Sequence, residues 1–298
     1  MSIRVNPYVT PDLLAAISLD QQHQNTALQQ ISTGKAVNSL SDNPAAASDV
    51  VFNHIQSSEN TQYLQNISDL TSQLQTGESA VNSAVTALTQ AISLGIEGAN
   101  GTVNASDQQA IATQVTGIRD QIVSLANQTY EGNYLFAGTA SSTQPFVLNS
   151  AQPGGVQYNG NSGVNSIQIS PGFSIGINVP GSQIFTNPAG NVIGSLNGLI
   201  TALQTNTGIG AAVTNVQQAS SELNTQSVFF GNALQQLNST QTYLNNNKTQ
   251  LATQENAFIG VDLAAAATNL SQATTATNAV LAATNQVLST LNLLNYIK

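Results

Sequence analysis

Apolar residues recur at intervals of seven in the first half of the chain. One series is Ile67, Leu74, Val81 and Leu88, and the residues three positions later are Leu70, Gly77, Ala84 and Ala91. Positions of this kind form the a/d seam of a coiled coil, and small residues at d let a partner helix approach closely. The pattern therefore predicts a long helix that pairs with another helix.

The second half of the chain shows the same spacing in two runs. The first run is Phe230, Leu237, Leu244, Leu251 and Phe258. The last run has Leu263, Leu270, Thr277, Thr284 and Leu291 at a, with Ala266, Ala273, Val280, Val287 and Leu294 at d. The register changes at Gly260, which predicts a joint between two helices there. Residues 12–33, 111–125 and 193–203 also show helical spacing and predict further helices.

Residues 132–181 differ from the rest of the chain in composition. This stretch contains nine glycines and four prolines. From Phe173 to Val179, apolar residues alternate with small or polar residues, which is the period of a half-buried strand. Shorter alternations at residues 156–158 and 167–169, separated by glycine and Asn-Gly, predict hairpins. The centre of the chain is therefore predicted to be a small β-rich insertion.

Together these patterns predict a mainly α fold. Heptad helices lie at both ends of the chain and can pair only if the ends come back together. We therefore expect a long antiparallel helical coiled-coil bundle formed by the N- and C-terminal segments, with a small central β-rich insertion. The expected parts are a terminal helical module (1–42 and 262–298), a helical rod (43–135 and 192–261) and the insertion (136–191).

Two short breaks interrupt the helical pattern near the two ends. At the first break, Gly34 can take the left-handed conformation that ends a helix. Asp42 or Asn43 can cap the next helix, with Pro44 in its first turn. Gly260-Val-Asp262 makes a similar break before the last helix. One such break can be an ordinary loop between helices, but two at similar distances from the ends favour a distinct terminal module.

The chain is poor in charged residues. Of its 298 residues, 5 are Lys or Arg and 14 are Asp or Glu, and the formal net charge is −9. Asn, Gln, Ser and Thr number 126, so neutral groups supply the polar surface. Nucleic acids and anionic membranes attract clustered Lys and Arg, so we expect no nucleic-acid partner. Residues 263–297 carry no charge, but their many Asn, Gln and Thr residues argue against membrane insertion.

No catalytic or metal-binding constellation is visible in the sequence. His23 and His54 lie among polar residues of predicted helices, where a solvated side chain is commoner than a ligand. Cysteine is absent and the acidic residues are scattered, so we expect no metal and no cofactor. Gly208-Ile-Gly210 lacks the third glycine of a dinucleotide-binding motif and is typical of a helix break. The sequence therefore predicts that the chain is not an enzyme.

Three stretches carry a resemblance to a known family. Gln29-Gln-Ile-Ser-Thr-Gly-Lys35 is followed by Ser41-Asp-Asn-Pro44, the centre contains Gly132-Asn-Tyr-Leu-Phe-Ala-Gly138, and Val261-Asp-Leu-Ala264 opens the last helix. These stretches resemble signatures of the flagellin family of bacterial flagella. The chain is more similar to the hook-associated members than to filament flagellins, which usually lack the central turn and usually have Asp-Asp-Ala where this chain has Asp-Asn-Pro.

The resemblance implies a structural role. The residues that match the family's motifs are Gly34, Lys35, Asp42, Asn43, Pro44, Gly132, Tyr134, Leu135, Phe136, Gly138 and Asp262. A protein of this kind joins the flagellar hook, through a second hook-associated protein, to the flagellin filament. The implied partners are these two proteins, further copies of the chain in a tubular assembly, and an export chaperone.

The resemblance also implies an extracellular location in the flagellum. The chain would leave the cell through the flagellar type III system, and no cleavable signal peptide is visible at its start. Filament flagellin remains the main alternative, because it shares the pattern at both ends. A coiled-coil adhesin or fibre unrelated to flagellin is a second alternative.

The terminal helices are the expected assembly surface. Their apolar seam residues are Leu28, Ile31, Leu263, Leu270, Val280, Val287, Leu291 and Leu294. Because Ala, Thr and Asn surround these residues, two such helices bury little apolar area and should be marginally stable alone. We therefore expect both terminal segments to be poorly ordered in the monomer and to fold on assembly.

Overall fold

A computed structural model describes residues 9–39 and 41–292, with side chains for all of these except residues 9, 10, 153 and 287–292. The helices are α1 (Val9–Thr33), α2 (Pro44–Gly98), α3 (Ala105–Ala126), α4 (Gly181–Ile184), α5 (Val192–Thr205), α6 (Ile209–Ile259) and α7 (Leu263–Asn292). The strands are β1 (Thr129–Tyr130), β2 (Asn133–Tyr134), β3 (Phe146–Leu148), β4 (Val156–Tyr158), β5 (Ser166–Ser170) and β6 (Phe173–Gly176). The predicted mainly α fold with a small central β region is confirmed.

The described residues form two compact units. One unit contains the residues up to 58 and those from 247 onwards, and the other contains residues 59–246. The division into three parts with boundaries at residues 42/43, 135/136, 191/192 and 261/262 stays a prediction.

The predicted seam of α2 lies in the core of the second unit. All eight a and d residues from Ile67 to Ala91 are buried. A Cβ built on Gly77 would lie 2.9 Å from the Phe230 ring of α6, and one built on Gly95 would lie 2.6 Å from Val213. The two helices thus approach each other closely where the sequence places its smallest residues.

The seam of α6 is buried along most of its length. Phe230, Leu237, Leu244 and Leu251 are buried, as the spacing predicts. Phe258, the last member of the series, is 40% exposed. The buried part of this seam therefore ends about two turns before the end of the helix.

The central region consists of three two-stranded antiparallel sheets, β1–β2, β3–β4 and β5–β6. The strand predicted over residues 173–179 is shorter than its alternating pattern, because β6 ends at Gly176. The side chain of Asn178 accepts a hydrogen bond from the N–H of Asn165 (2.7 Å) and donates one to the carbonyl of Gly163 (3.1 Å). A side chain thus takes over pairing that the strand backbone would otherwise provide.

The sheets and the helices of the second unit share one hydrophobic core. Phe136, Phe146 and Phe185 belong to the same buried cluster as Leu74 of α2 and Leu196 of α5. The Phe185 ring meets Phe136 and Phe146 edge to face, at centroid distances of 5.3 and 5.6 Å. The β region is therefore held on the helices by aromatic packing.

Candidate assembly site of the terminal helices

The first and last described helices pair with each other in antiparallel orientation. Gln24 Nε2 of α1 donates a hydrogen bond to Thr277 Oγ1 of α7 at 3.2 Å. Beyond the end of α1, Lys35 forms an antiparallel backbone bridge with Gly260. The pairing of the two ends of the chain, which the heptads predict, is therefore present.

The interface between α1 and α7 contains small side chains. In the described parts of these helices, the fully buried residues are Ala27, Ala266 and Ala273. Ile31, Leu270 and Val280 are half-buried. Because alanine carries little apolar surface, this pair gains less from hydrophobic burial than a Leu- or Ile-rich seam would.

The structure separates the predicted seam residues into two groups. Ile31, Leu270 and Val280 are partly covered, whereas Leu28 and Leu263 are 51% and 55% exposed. Leu294 and the side chains of Val287 and Leu291 lie outside the described residues. A role for any of these residues in contacts between subunits stays a prediction.

The two predicted helix breaks are hydrogen-bonded to each other. Gly34 has a φ of +70°, in the left-handed region where the sequence places it. The N–H of Ala36 donates to the carbonyl of Ile259 at 2.7 Å, and the N–H of Val261 donates to the carbonyl of Gly34 at 3.2 Å. Residues 34–36 and 259–261 thus form one joint at the ends of α1 and α6.

The two cap candidates of α2 have different roles. Asn43 Oδ1 accepts a hydrogen bond from the N–H of Ala46 at 3.2 Å, so Asn43 caps the helix. Asp42 Oδ2 instead accepts from the N–H groups of Asn38 and Ser39 at 2.9 and 2.8 Å. A further bond from the Ser39 hydroxyl and these two backbone bonds hold the pKa of Asp42 below its ordinary value.

The start of α7 uses the same cap chemistry. Asp262 Oδ1 accepts hydrogen bonds from the N–H groups of Ala264 and Ala265 at 2.9 and 3.1 Å. A negative side chain at this position also interacts favourably with the helix dipole. Asp262 is therefore the N-cap that lets α7 begin directly after the joint.

A small charged cluster lies beside the joint. Glu255 Oε1 of α6 is 3.2 Å from His54 Nε2 of α2 and 3.9 Å from Lys35 Nζ. Sequence reasoning missed this cluster, because its members are far apart in the chain and match no motif. The cluster brings two of the chain's few basic side chains close to one carboxylate.

The central motif forms a tight hairpin. Glu131 and Gly132 occupy the turn between β1 and β2, with φ values of +50° and +80°. Leu135 and Phe136 then enter the core of the second unit. Gly138 has a φ of +71°, and a Cβ at this position would collide with the carbonyl oxygen of Asn161.

Two tyrosines support this hairpin. Tyr158 donates a hydrogen bond to the carbonyl of Phe136 at 3.0 Å, and burial raises the pKa of Tyr158. Tyr134 is half-buried and lines a cleft of about 310 Å³ together with Tyr130, Asp69 and Asn133. These contacts explain why the motif contains aromatic residues beside glycines.

Within residues 9–39 and 41–292, no group of three or more His, Cys, Asp or Glu side chains could hold a metal ion. In the same part of the chain, no helix has the length and apolar character needed to cross a membrane.

Comparison with known proteins finds similarity to flagellar proteins. Residues 8–141 match the family model of the bacterial flagellin N-terminal helical region. Flagellar hook-associated protein 3 of Salmonella typhimurium is 33% identical over 166 residues, which cover 55% of this chain and 51% of that protein. Flagellin D of Vibrio cholerae is 30% identical over 120 residues, covering 40% of this chain and 32% of that protein.

A solved structure shares the fold. The structure of a flagellar hook-associated protein from Vibrio parahaemolyticus superposes with a TM-score of 0.67 at 23% identity, covering 74% of this chain and 100% of that chain. In the sequence comparison, the chain spans about half the length of the curated relatives that it matches. Residues 8–141 thus match the helical region of bacterial flagellins, and the resemblance of this chain to the hook-associated proteins of the flagellin family is confirmed.

Proposed function

We propose that the chain is a structural component of the bacterial flagellum that joins the hook to the flagellin filament. The observation that carries the proposal is the extent of the similarity, which covers 55% of the chain for hook-associated protein 3 but 40% for a flagellin. The antiparallel pairing of α1 with α7 supports it, because such a pair offers a helical surface with few charges to neighbouring subunits.

The proposed partners follow from a position between the hook and the filament. The chain contacts a second hook-associated protein on the hook side and flagellin on the filament side, and further copies of itself within a tubular layer. Contacts that relate different surfaces of successive copies build rings or open helical tubes. An export chaperone escorts the chain to the flagellar type III system, which delivers it outside the cell.

The terminal helices are the proposed assembly module. Leu28 and Leu263 are more than half exposed, and both lie in or next to the α1–α7 pair. Burial of such residues against a neighbouring copy would supply the apolar area that the alanine-rich interface lacks. The β region is proposed to lie outside the tubular core, where it braces the junction of hook and filament.

A deletion strain tests the proposed function. Cells that lack this chain should make hooks without filaments and should shed flagellin into the medium, because flagellin has no platform on which to polymerise. Electron microscopy of isolated flagella and immunoblots of the medium measure the two effects, and plasmid-borne expression of the chain is the control. Filaments of normal length and number in the deletion strain would contradict the proposal.

A further inference from the structure

In residues 51–60 of α2, the buried side chains are polar and the large apolar side chains are exposed. Asn53 and Asn60 are buried. Val51, Phe52 and Ile55 are 52%, 59% and 54% exposed. This distribution is the reverse of that expected for a helix at the surface of an isolated soluble protein.

The three exposed side chains share one side of the helix. Successive residues of an α-helix are about 100° apart, so Val51, Phe52 and Ile55 fall within an arc of about 100°. Asn53 lies on the other side of the helix, with its side-chain nitrogen buried. We call the surface formed by Val51, Phe52 and Ile55 the α2 apolar face.

We infer that the α2 apolar face binds a different surface of a second copy of this chain. The inference rests on the proposed function and identifies one of the surfaces through which subunits meet. An aromatic side chain offers roughly 150–250 Å², and Val and Ile offer less, so the exposed fractions of the three side chains together amount to no more than about 300 Å². The largest apolar patch of a typical monomer begins at about this extent, and such a patch is often functional.

The area of the face fits a repeated contact rather than an independent dimer. A stable interface between two proteins buries about 800 Å² on each partner, more than twice what this face offers. In a polymer, each subunit adds several such contacts, and one small face then contributes to the total. The chain is therefore expected to keep this face free as a monomer and to cover it in the assembly.

The same chain provides a suitable counter-surface. Leu14 and Leu28 of α1 are 63% and 51% exposed. They are two heptads apart and therefore lie on the same side of α1. A contact between the α2 apolar face of one copy and a different surface of the next leaves a free face on each end, so assembly continues. A contact between two α2 apolar faces would instead form a closed dimer, to which no further copy could be added through this face.

Site-directed cross-linking tests the inference in flagella that carry the full-length chain. The photoreactive residue p-benzoylphenylalanine replaces Phe52, and in a control chain it replaces Tyr243 of α6, whose exposure of 60% matches that of Phe52. After illumination of isolated flagella, the variant with the photoreactive residue at position 52 should form a covalent dimer of this chain. Its dimer yield should be at least about tenfold that of the variant at position 243. Mass spectrometry should place the second attachment site outside residues 44–58.

The outcomes separate the inference from the proposed function. A product attached within residues 44–58 of the second copy, a product with another flagellar protein, or no product would overturn the inference while the chain is present in flagella. Absence of the chain from flagella would overturn both.

A substitution gives a second measurement. Phe52→Ser should lower the amount of chain retained in isolated flagella by about tenfold relative to Tyr243→Ser, because a buried aromatic anchor dominates a small contact. The thermal midpoint of the purified monomer should be unchanged, since Phe52 faces solvent there. A lower midpoint, or equal retention of the two variants, would overturn the inference.

Discussion

Individual glycines set how closely the chain can pack around its central turn. Gly132 and Gly138 both have positive φ, at +80° and +71°. A Cβ on Gly132 would meet nothing within 4 Å, whereas one on Gly138 would collide with the backbone of Asn161. Gly132 is therefore needed for backbone conformation alone, and Gly138 for conformation and space.

This difference predicts unequal effects of alanine at the two positions. Gly132→Ala should lower the free energy of unfolding by about 1 kcal/mol, the cost of a left-handed alanine. Gly138→Ala should lower it by at least about 1 kcal/mol more, because backbone atoms must move as well. Urea unfolding followed by circular dichroism measures both values, with Gly132→Ala as the matched control. Equal losses would show that Gly138 has room for a side chain.

At the scale of elements, side-chain hydrogen bonds hold the loop between α1 and α2. Asp42 binds the N–H groups of residues 38 and 39, and Asn43 caps α2. Asp42 is exposed to solvent, so its effect on the loop comes from geometry and charge. The carboxylate, rather than the carboxylic acid, is the form that accepts all of these bonds.

The lowered pKa of Asp42 predicts that the stability of the loop between α1 and α2 depends on pH. Its carboxylate stabilises the folded loop above the ordinary pKa of 3.8, and this contribution is lost as the pH falls through the lower folded value. Asp42→Asn should therefore lower the thermal midpoint at neutral pH, and the gap to the unsubstituted chain should narrow as the pH falls from about 5 to about 3. Asp49→Asn, which removes another exposed carboxylate near the start of α2, controls for net charge. A gap that stays constant over this range would contradict the assigned role.

At the scale of the whole molecule, the α1–α7 pair and the unit of residues 59–246 bury side chains of different size. In the described residues, the α1–α7 pair buries Ala27, Ala266 and Ala273. The unit of residues 59–246 buries Phe136, Phe146 and many Leu and Ile residues. Since apolar burial dominates stability, the terminal pair should be the weaker part of the molecule.

Removal of the terminal segments tests this difference. The full-length chain should show two thermal transitions, of which the earlier belongs to the terminal pair. A chain without residues 1–33 and 263–298 should lack the earlier transition, and the midpoint of the later one should change by less than about 3 °C. Calorimetry at low protein concentration, where assembly is avoided, compares the trimmed chain with the full-length chain. If one transition covers the full-length chain and its midpoint falls on trimming, the terminal pair is an integral part of the fold. The expectation that these segments order on assembly would then lose its physical basis.

Much of the architecture could be predicted from periodicity. The heptads that begin at Ile67 and Phe230 predicted the buried seams of α2 and α6, because a buried face repeats with the helix turn. The breaks at Gly34 and Gly260 predicted the helix ends, and Gly34 ends α1 with a φ of +70°, which glycine adopts at little cost. The length of β6 could not be predicted, because Asn178 competes with the strand through bonds to distant residues.

The sequence by itself determined the helices, their ends, the pairing of the chain's extremities and the resemblance to the flagellin family, because these depend on local periodicity, turn residues and motifs. Only the tertiary structure decided that the two breaks are hydrogen-bonded to each other and that His54, Lys35 and Glu255 meet. It also decided that Val51, Phe52 and Ile55 face outward while Asn53 is buried. The physical reason is that exposure depends on which faces of a helix other elements cover, and residues distant in the sequence set that cover.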